Sequence, residues 1–157
     1  LGRQLSLAST LIAAGIDTPV LKVKIDGFDT HEDQPWRHQR LLENLGRAVS
    51  GFAQQMRKIG QWDNTLVLTY SEFGRRAVEN STSGTDHGTA APHFLAGGSI
   101  NGGIYGKHPS LSRLVDGDMQ FTMDYRSVYD WILSQWFEIE NNRFKEYRAA
   151  ELNSLKS

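Results

Sequence analysis

The stretch that decides the fold is Asn64–Tyr70, which reads NTLVLTY. Its near-continuous apolar run predicts a strand that is buried on both faces, as strands of parallel sheets are. Before it, apolar side chains recur at helical spacing from Leu41 to Ile59, and Gly60 predicts the end of one long amphipathic helix. Further upstream, residues 20–25 (VLKVKI) have the β-branched and apolar composition of a strand. Strand, helix and strand together predict a βαβ unit with a right-handed crossover.

Further elements are predicted on both sides of this unit. Apolar spacing over residues 1–12 predicts a helix that stops near Gly15. A polar, glycine-rich loop is expected over residues 71–91, and a third strand over residues 93–96. Asp124 is expected to cap a helix. The buried side of that helix carries Val128, Ile132, Leu133 and Trp136.

Composition excludes several classes of protein. The chain has 157 residues, of which 39% are hydrophobic and 22% charged, so one globular domain is expected. The 17 basic and 18 acidic residues give a net charge of −1, which argues against a nucleic acid or an anionic membrane as partner. No apolar run of about 18 residues predicts a membrane span. The absence of cysteine excludes disulfides and thiolate metal ligands.

Polar clusters adjoin the three predicted strands. They are Asp26, Asp29 and His31 after the first strand, Glu72 and Arg75 after the second, and Asp86, His87 and His93 at the entry to the third. Because ligands of open parallel sheets bind at the carboxyl ends of the strands, we expect these side chains to converge on one crevice. Carboxylate and imidazole ligands together suit zinc, manganese or iron(II) better than calcium or magnesium. The sequence therefore predicts a divalent metal site.

Each cluster also has a simpler explanation. An aspartate after a strand is often a turn former or a helix cap. Glu72 could pair with Arg75 on the surface, and Asp86-His87-Gly88 could be an ordinary turn. Ser71 lacks the flanking glycines of a nucleophile elbow, which argues against a serine hydrolase. The expected convergence of the clusters favours the metal site.

Several motifs in this order resemble the C-terminal part of the DUF1501 family, bacterial proteins of unknown function assigned to the alkaline phosphatase-like (sulfatase-like) superfamily. The motifs are GFDTH (27–31), SEFGR (71–75), GTDHG (84–88), Gly97-Gly98 and TMDYRSVY (122–129). The resemblance implies a three-layer α/β fold with a mostly parallel sheet flanked by helices. Residues 1–138 would be the C-terminal portion of that domain, and residues 139–157 a charged helix or tail.

The resemblance also implies a site. The site would hold one or two divalent ions, such as zinc. Its candidate metal ligands are Asp26, Asp29, His31, Glu72 and His87. Within this set, either Asp26 or Asp29 corresponds to the first ligand of the superfamily. Asp86 and His93 would support the ligands, and Arg75 would hold an ester oxygen. The superfamily often has Asp-His where this chain has Glu72-Phe73, so one imidazole is lost.

The function implied by the resemblance is hydrolysis of a small phosphate or sulfate ester by a periplasmic or secreted protein. In the superfamily, the nucleophile comes from the N-terminal half of the protein. This chain opens at Leu1, already within the first predicted helix. We therefore expect the chain to be part of a longer protein and to lack that nucleophile. A non-catalytic binding or assembly module with the same fold is the alternative. A second copy or a partner segment is expected to cover an exposed sheet edge.

Overall fold

The computed structural model describes residues 1–156, which divide between two units. Unit 1 consists of Leu1–Leu68, Val78–Asp86 and Leu95–Gly98. Unit 2 consists of Thr69–Ala77, His87–Phe94 and the residues from Ser99 on. Both units are therefore built from segments that are distant in sequence.

Two helices form the core of unit 1. They are α1 (Gly2–Ala13) and α2 (Gln34–Lys58), and both confirm the helices predicted from apolar spacing. The side chains buried between them are Leu5, Ala8, Phe52 and Met56, and Val23, Trp62 and Val67 pack against this cluster. Burial of the apolar faces stabilises the two helices more than intrinsic helix propensity does.

Four short strands form two antiparallel, two-stranded sheets. They are β1 (Leu66–Leu68), β2 (Gly74–Glu79), β3 (Thr85–Gly88) and β4 (Leu95–Gly97). The sheets pair β1 with β4 and β2 with β3. The three-layer, mostly parallel sheet implied by the resemblance stays a prediction.

The pairing of β1 with β4 places Val67 opposite Ala96. A Cβ atom added to Gly97 would lie 2.5 Å from the carbonyl oxygen of Thr65. Gly97 therefore allows the close approach of two backbones.

The predicted loop at 71–91 is wrong in part, because β2 and β3 lie within it. Most side chains of β2 are exposed, so this strand shows no apolar alternation. The predicted strand at 20–25 is also wrong, since none of these residues belongs to a strand. The side-chain amide of Gln4 instead bonds both the N–H and the carbonyl oxygen of Lys24, each at 2.8 Å. A helix side chain thus takes the place of a neighbouring strand.

Unit 2 contains α3 (Tyr125–Trp131), which continues into a π-helical turn, Ile132–Trp136. The predicted cap is confirmed, because the carboxylate of Asp124 accepts a hydrogen bond from the N–H of Arg126. Beyond residue 139 the chain forms two short 3-10 turns, and Leu152 and Leu155 are buried. None of the helices in residues 1–156 is both long and apolar enough to cross a membrane.

A buried carboxylate links α3 to the C-terminal residues. Asp130 is 2% exposed and accepts hydrogen bonds from Asn142 and from Arg148, each at 2.9 Å. Burial raises the pKa of Asp130, but the hydrogen bonds from Arg148 and Asn142 outweigh burial, so the pKa is lowered overall. The ionised form of Asp130 therefore stabilises the folded state.

Replacing Asp130 by asparagine should lower the free energy of unfolding by about 2 kcal/mol near neutral pH, since Arg148 and Asn142 lose a buried, charged acceptor. A lowered folded-state pKa contributes stability above the unfolded value, and this contribution is lost as pH falls through the folded value. The difference between wild type and Asp130→Asn should therefore shrink below about pH 4. Urea unfolding of wild type and Asp130→Asn at several pH values measures this difference in the free energy of unfolding.

The matched control is Glu140→Gln, which removes the exposed second partner of Arg148. This change should alter the free energy of unfolding by only a few tenths of a kcal/mol. An equal effect of both substitutions would contradict a structural role for Asp130.

Candidate functional site

In unit 1 the imidazole of His31 has a carboxylate beside each ring nitrogen. Nε2 lies 3.0 Å from Oδ1 of Asp29, and Nδ1 lies 3.5 Å from Oδ1 of Asp86. All three side chains are largely exposed. The structure thus brings together two predicted ligands and one predicted supporting residue.

The chemistry of this arrangement follows from the donors available. A neutral imidazole has one N–H donor and one acceptor nitrogen, whereas both carboxylates only accept. One neutral tautomer can therefore satisfy only one of the two carboxylates. A cation beside the other nitrogen would satisfy the second carboxylate as well.

The turn between β2 and β3 holds the backbone of His31. The carbonyl oxygen of His31 accepts hydrogen bonds from Nδ2 of Asn80 at 2.9 Å and from Oγ1 of Thr82 at 2.6 Å. Oδ1 of Asn80 in turn accepts bonds from the N–H groups of Thr82 and Gly84, each at 3.0 Å. The turn is therefore braced internally while it bonds to His31.

Close packing fixes the same contact. A Cβ atom at Gly84 would overlap the carbonyl carbon and oxygen of His31 and would lie 2.6 Å from the nitrogen of Glu32. Thr30, next to His31, is fully buried. The exposed imidazole thus follows a fully buried residue, and its own backbone carbonyl is held by two hydrogen bonds.

Asp26 is not part of this cluster. Its carboxylate lies 2.7 Å from Nζ of Lys24, and both side chains are more than 70% exposed. Of the two aspartates that the sequence left as alternatives, Asp29 is the one beside an imidazole nitrogen.

In unit 2, His87 lies flat against an aromatic ring. The rings of His87 and Phe73 are stacked, with centroids 3.7 Å apart and planes inclined by 8°. The guanidinium carbon of Arg75 lies 4.9 Å from the centroid of the same Phe73 ring. Phe73 therefore contacts two of the predicted site residues.

The two other predicted residues of unit 2 have different surroundings. Glu72 is exposed, and His93 is half-buried. Nδ1 of His93 lies 3.1 Å from the carbonyl oxygen of Thr69, which leaves Nε2 as the nitrogen directed away from this backbone contact. The roles of Glu72, Arg75, His87 and His93 stay predictions.

Several residues that support the site went unnoticed in the sequence. In unit 2, Oδ2 of Asp118 accepts a hydrogen bond from the N–H of Thr89 at 2.9 Å, and a Cβ atom at Gly88 would lie 2.6 Å from Oδ1 of Asp118. Asp118 thus anchors the backbone just after His87. The only sequence signal for such supports is the pattern Asn-x-Thr-x-Gly at 80–84, which is typical of a side-chain-braced turn.

Replacing Gly84 by alanine should move the backbone of His31, because the added methyl group meets backbone atoms that cannot rotate away. We expect a loss of about 1–3 kcal/mol in the free energy of unfolding, as for other overpacked sites. Gly46→Ala is the matched control, since nothing lies within 4 Å of its added Cβ. Chemical denaturation of both variants measures the effect, and equal stability of both would contradict the close contact.

Comparison with known proteins gives one family. The model of the family described as "Protein of unknown function (DUF1501)" matches residues 2–139. No curated protein matches the chain, and no solved structure does. Since the match covers most of the chain and includes the motifs around His31, Phe73 and His87, the chain belongs to the DUF1501 family.

Proposed function

We propose that this chain carries a divalent metal site of a hydrolase that acts on phosphate or sulfate esters. The observation that supports this proposal best is the cluster of Asp29, His31 and Asp86 in unit 1. The resemblance to the alkaline phosphatase-like superfamily supplies the reaction class and the ester substrate.

The donor set suits a transition metal such as zinc. Zinc binds histidine nitrogen and carboxylate oxygen at about 2.0–2.2 Å, so two ligands of a tetrahedral ion lie about 3.3 Å apart. The 3.0 Å between Nε2 of His31 and Oδ1 of Asp29 is close to that separation. The two atoms can therefore bind one ion with only a small adjustment.

The three side chains would have distinct roles. Asp29 and Nε2 of His31 would be ligands, while Asp86 would accept a hydrogen bond from Nδ1 and so fix the tautomer that leaves Nε2 free to bind. Carboxylates that orient a ligating histidine in this way are common in metal sites.

Stability alone does not account for the cluster. Exposed ion pairs contribute about 0–1 kcal/mol, and holding an exposed imidazole between two carboxylates costs side-chain entropy. Yet two hydrogen bonds to its carbonyl oxygen hold the backbone from which this imidazole extends. A bound ion would add Lewis-acid activation of the ester and of the attacking group.

Isothermal titration of the chain with zinc and manganese tests the site. We expect wild type to bind, and Asp29→Asn and His31→Ala to weaken binding at least tenfold, because each removes a ligand atom. Asp86→Asn should weaken binding by about 10–100-fold, as the loss of an orienting partner does.

Asp26→Asn is the matched control, since it removes an equally exposed aspartate that pairs with Lys24 and should leave the affinity unchanged. The same titration of Glu72→Gln and His87→Ala decides whether either residue is a ligand. Absence of binding by wild type, or an equal loss in Asp26→Asn and Asp29→Asn, would contradict the proposal.

The alternative, a non-catalytic binding module, is favoured by one observation. Several aromatic side chains are more than half exposed, namely Trp36, Tyr70, Phe94, Phe121 and Tyr125, whereas Trp131 is buried. Hydrolysis of an aryl phosphate or sulfate by the protein as its gene encodes it, lost in His31→Ala, would exclude this alternative. Metal binding without hydrolysis would favour it.

A further inference from the structure

We infer that Phe73 is a positioning residue that sets the ring plane of His87 by stacking. The inference rests on the proposed function and on the sequence-based prediction that His87 is one of its metal ligands. At the sequence level, Phe73 stands where the superfamily often has a histidine ligand, so this position counted only as a lost imidazole. The contacts within unit 2 indicate that Phe73 instead positions the ring of His87.

The geometry of the stack is what a positioning role requires. The two rings are 3.7 Å apart and nearly parallel, so the face of Phe73 covers one face of the His87 imidazole. The lone pairs of an imidazole lie in the plane of its ring, at the edge. Stacking therefore fixes the plane without covering the ring edge, where the two nitrogens lie.

An exposed histidine needs such support. His87 is exposed, and an exposed imidazole can sample several rotamers. Binding a ligand would then cost the entropy of ordering the side chain. Stacking on Phe73 reduces this cost before any ligand arrives.

The backbone of the same segment is also held. Asp118 accepts a hydrogen bond from the N–H of Thr89, two residues after His87. Thr89 also donates from its hydroxyl group to the carbonyl oxygen of Met119 at 3.1 Å. Since the backbone is anchored independently, loss of the Phe73 ring should release the His87 side chain rather than unfold the segment.

Phe73 also contacts Arg75, whose guanidinium carbon lies 4.9 Å from the ring centroid. A guanidinium over an aromatic face keeps its in-plane N–H groups available to an oxyanion. One aromatic ring thus orients a predicted ligand and a predicted substrate-binding group.

The test compares Phe73→Leu, which keeps an apolar side chain without a ring, with Phe73→Tyr, which keeps the ring. The imidazole carbon-bound protons of His87 are observed by NMR in the metal-free chain at one fixed pH and assigned with His87→Gln. The ring current of Phe73 should shift them upfield by several tenths of a ppm. Phe73→Leu should abolish this shift, and Phe73→Tyr should retain it.

Phe144→Leu is the matched control, because it removes another phenylalanine ring of unit 2, whose partner is Tyr129. It should leave the His87 signals in place. Far-UV circular dichroism of every variant separates loss of the stack from unfolding. Unchanged His87 signals in folded Phe73→Leu would overturn the inference.

Zinc titration of the same variants tests the consequence of the stack. Phe73→Leu should weaken binding about tenfold, as other supporting residues of metal sites do, and Phe73→Tyr should restore it. Equal affinity of wild type and Phe73→Leu would overturn the positioning role. If wild type binds no metal, the proposed function fails, whereas the NMR signals still decide whether Phe73 orders His87.

Discussion

The candidate site of unit 1 depends on the hydrogen bonds that the carbonyl oxygen of His31 accepts from Asn80 and Thr82. These bonds join residues that lie 49 and 51 positions apart along the chain. Closing so long a loop costs entropy that grows only slowly with length. Each hydrogen bond contributes about 1 kcal/mol net, so the contact also needs the tight packing at Gly84 and the burial of Thr30.

This constraint explains how an exposed imidazole can be well oriented. The carbonyl of His31 bonds to the turn, the neighbouring Thr30 is buried, and the side chain therefore leaves a backbone that has little freedom. Asp29 and Asp86 then flank the ring from two segments that the same contact brings together. The cluster is a consequence of the turn rather than a cause of it.

The helices of unit 1 could be predicted because their cause is local. Apolar spacing in α1 and α2 reports directly which face is buried. Strands are harder to predict from sequence, because a strand exists only where another segment offers hydrogen bonds. Residues 20–25 have strand composition, but the amide of Gln4 bonds to Lys24. The strands β2 and β3 were missed for the opposite reason, since they pair without an apolar face.

The residues of the candidate site also divide into those that the sequence indicates and those that depend on contacts with other segments. Asp29, His31 and Asp86 could be nominated because ligand chemistry depends on residue type, which the sequence shows. The choice between Asp26 and Asp29 could not be made, since it depends on where each side chain points. Asn80 and Asp118 went unnoticed, and Phe73 was noted only as a lost imidazole, because all three contact the backbone or the ring of another residue. Nothing in their own chemistry marks such a role.

The departure at Glu72-Phe73 bears on the two functional hypotheses in a specific way. A phenyl ring cannot replace an imidazole as a ligand, so the expected number of ions falls towards one. A ring that stacks on His87 and contacts Arg75 nevertheless keeps two other predicted site residues ordered. On the proposed function, the departure would reduce the number of metals without removing the site.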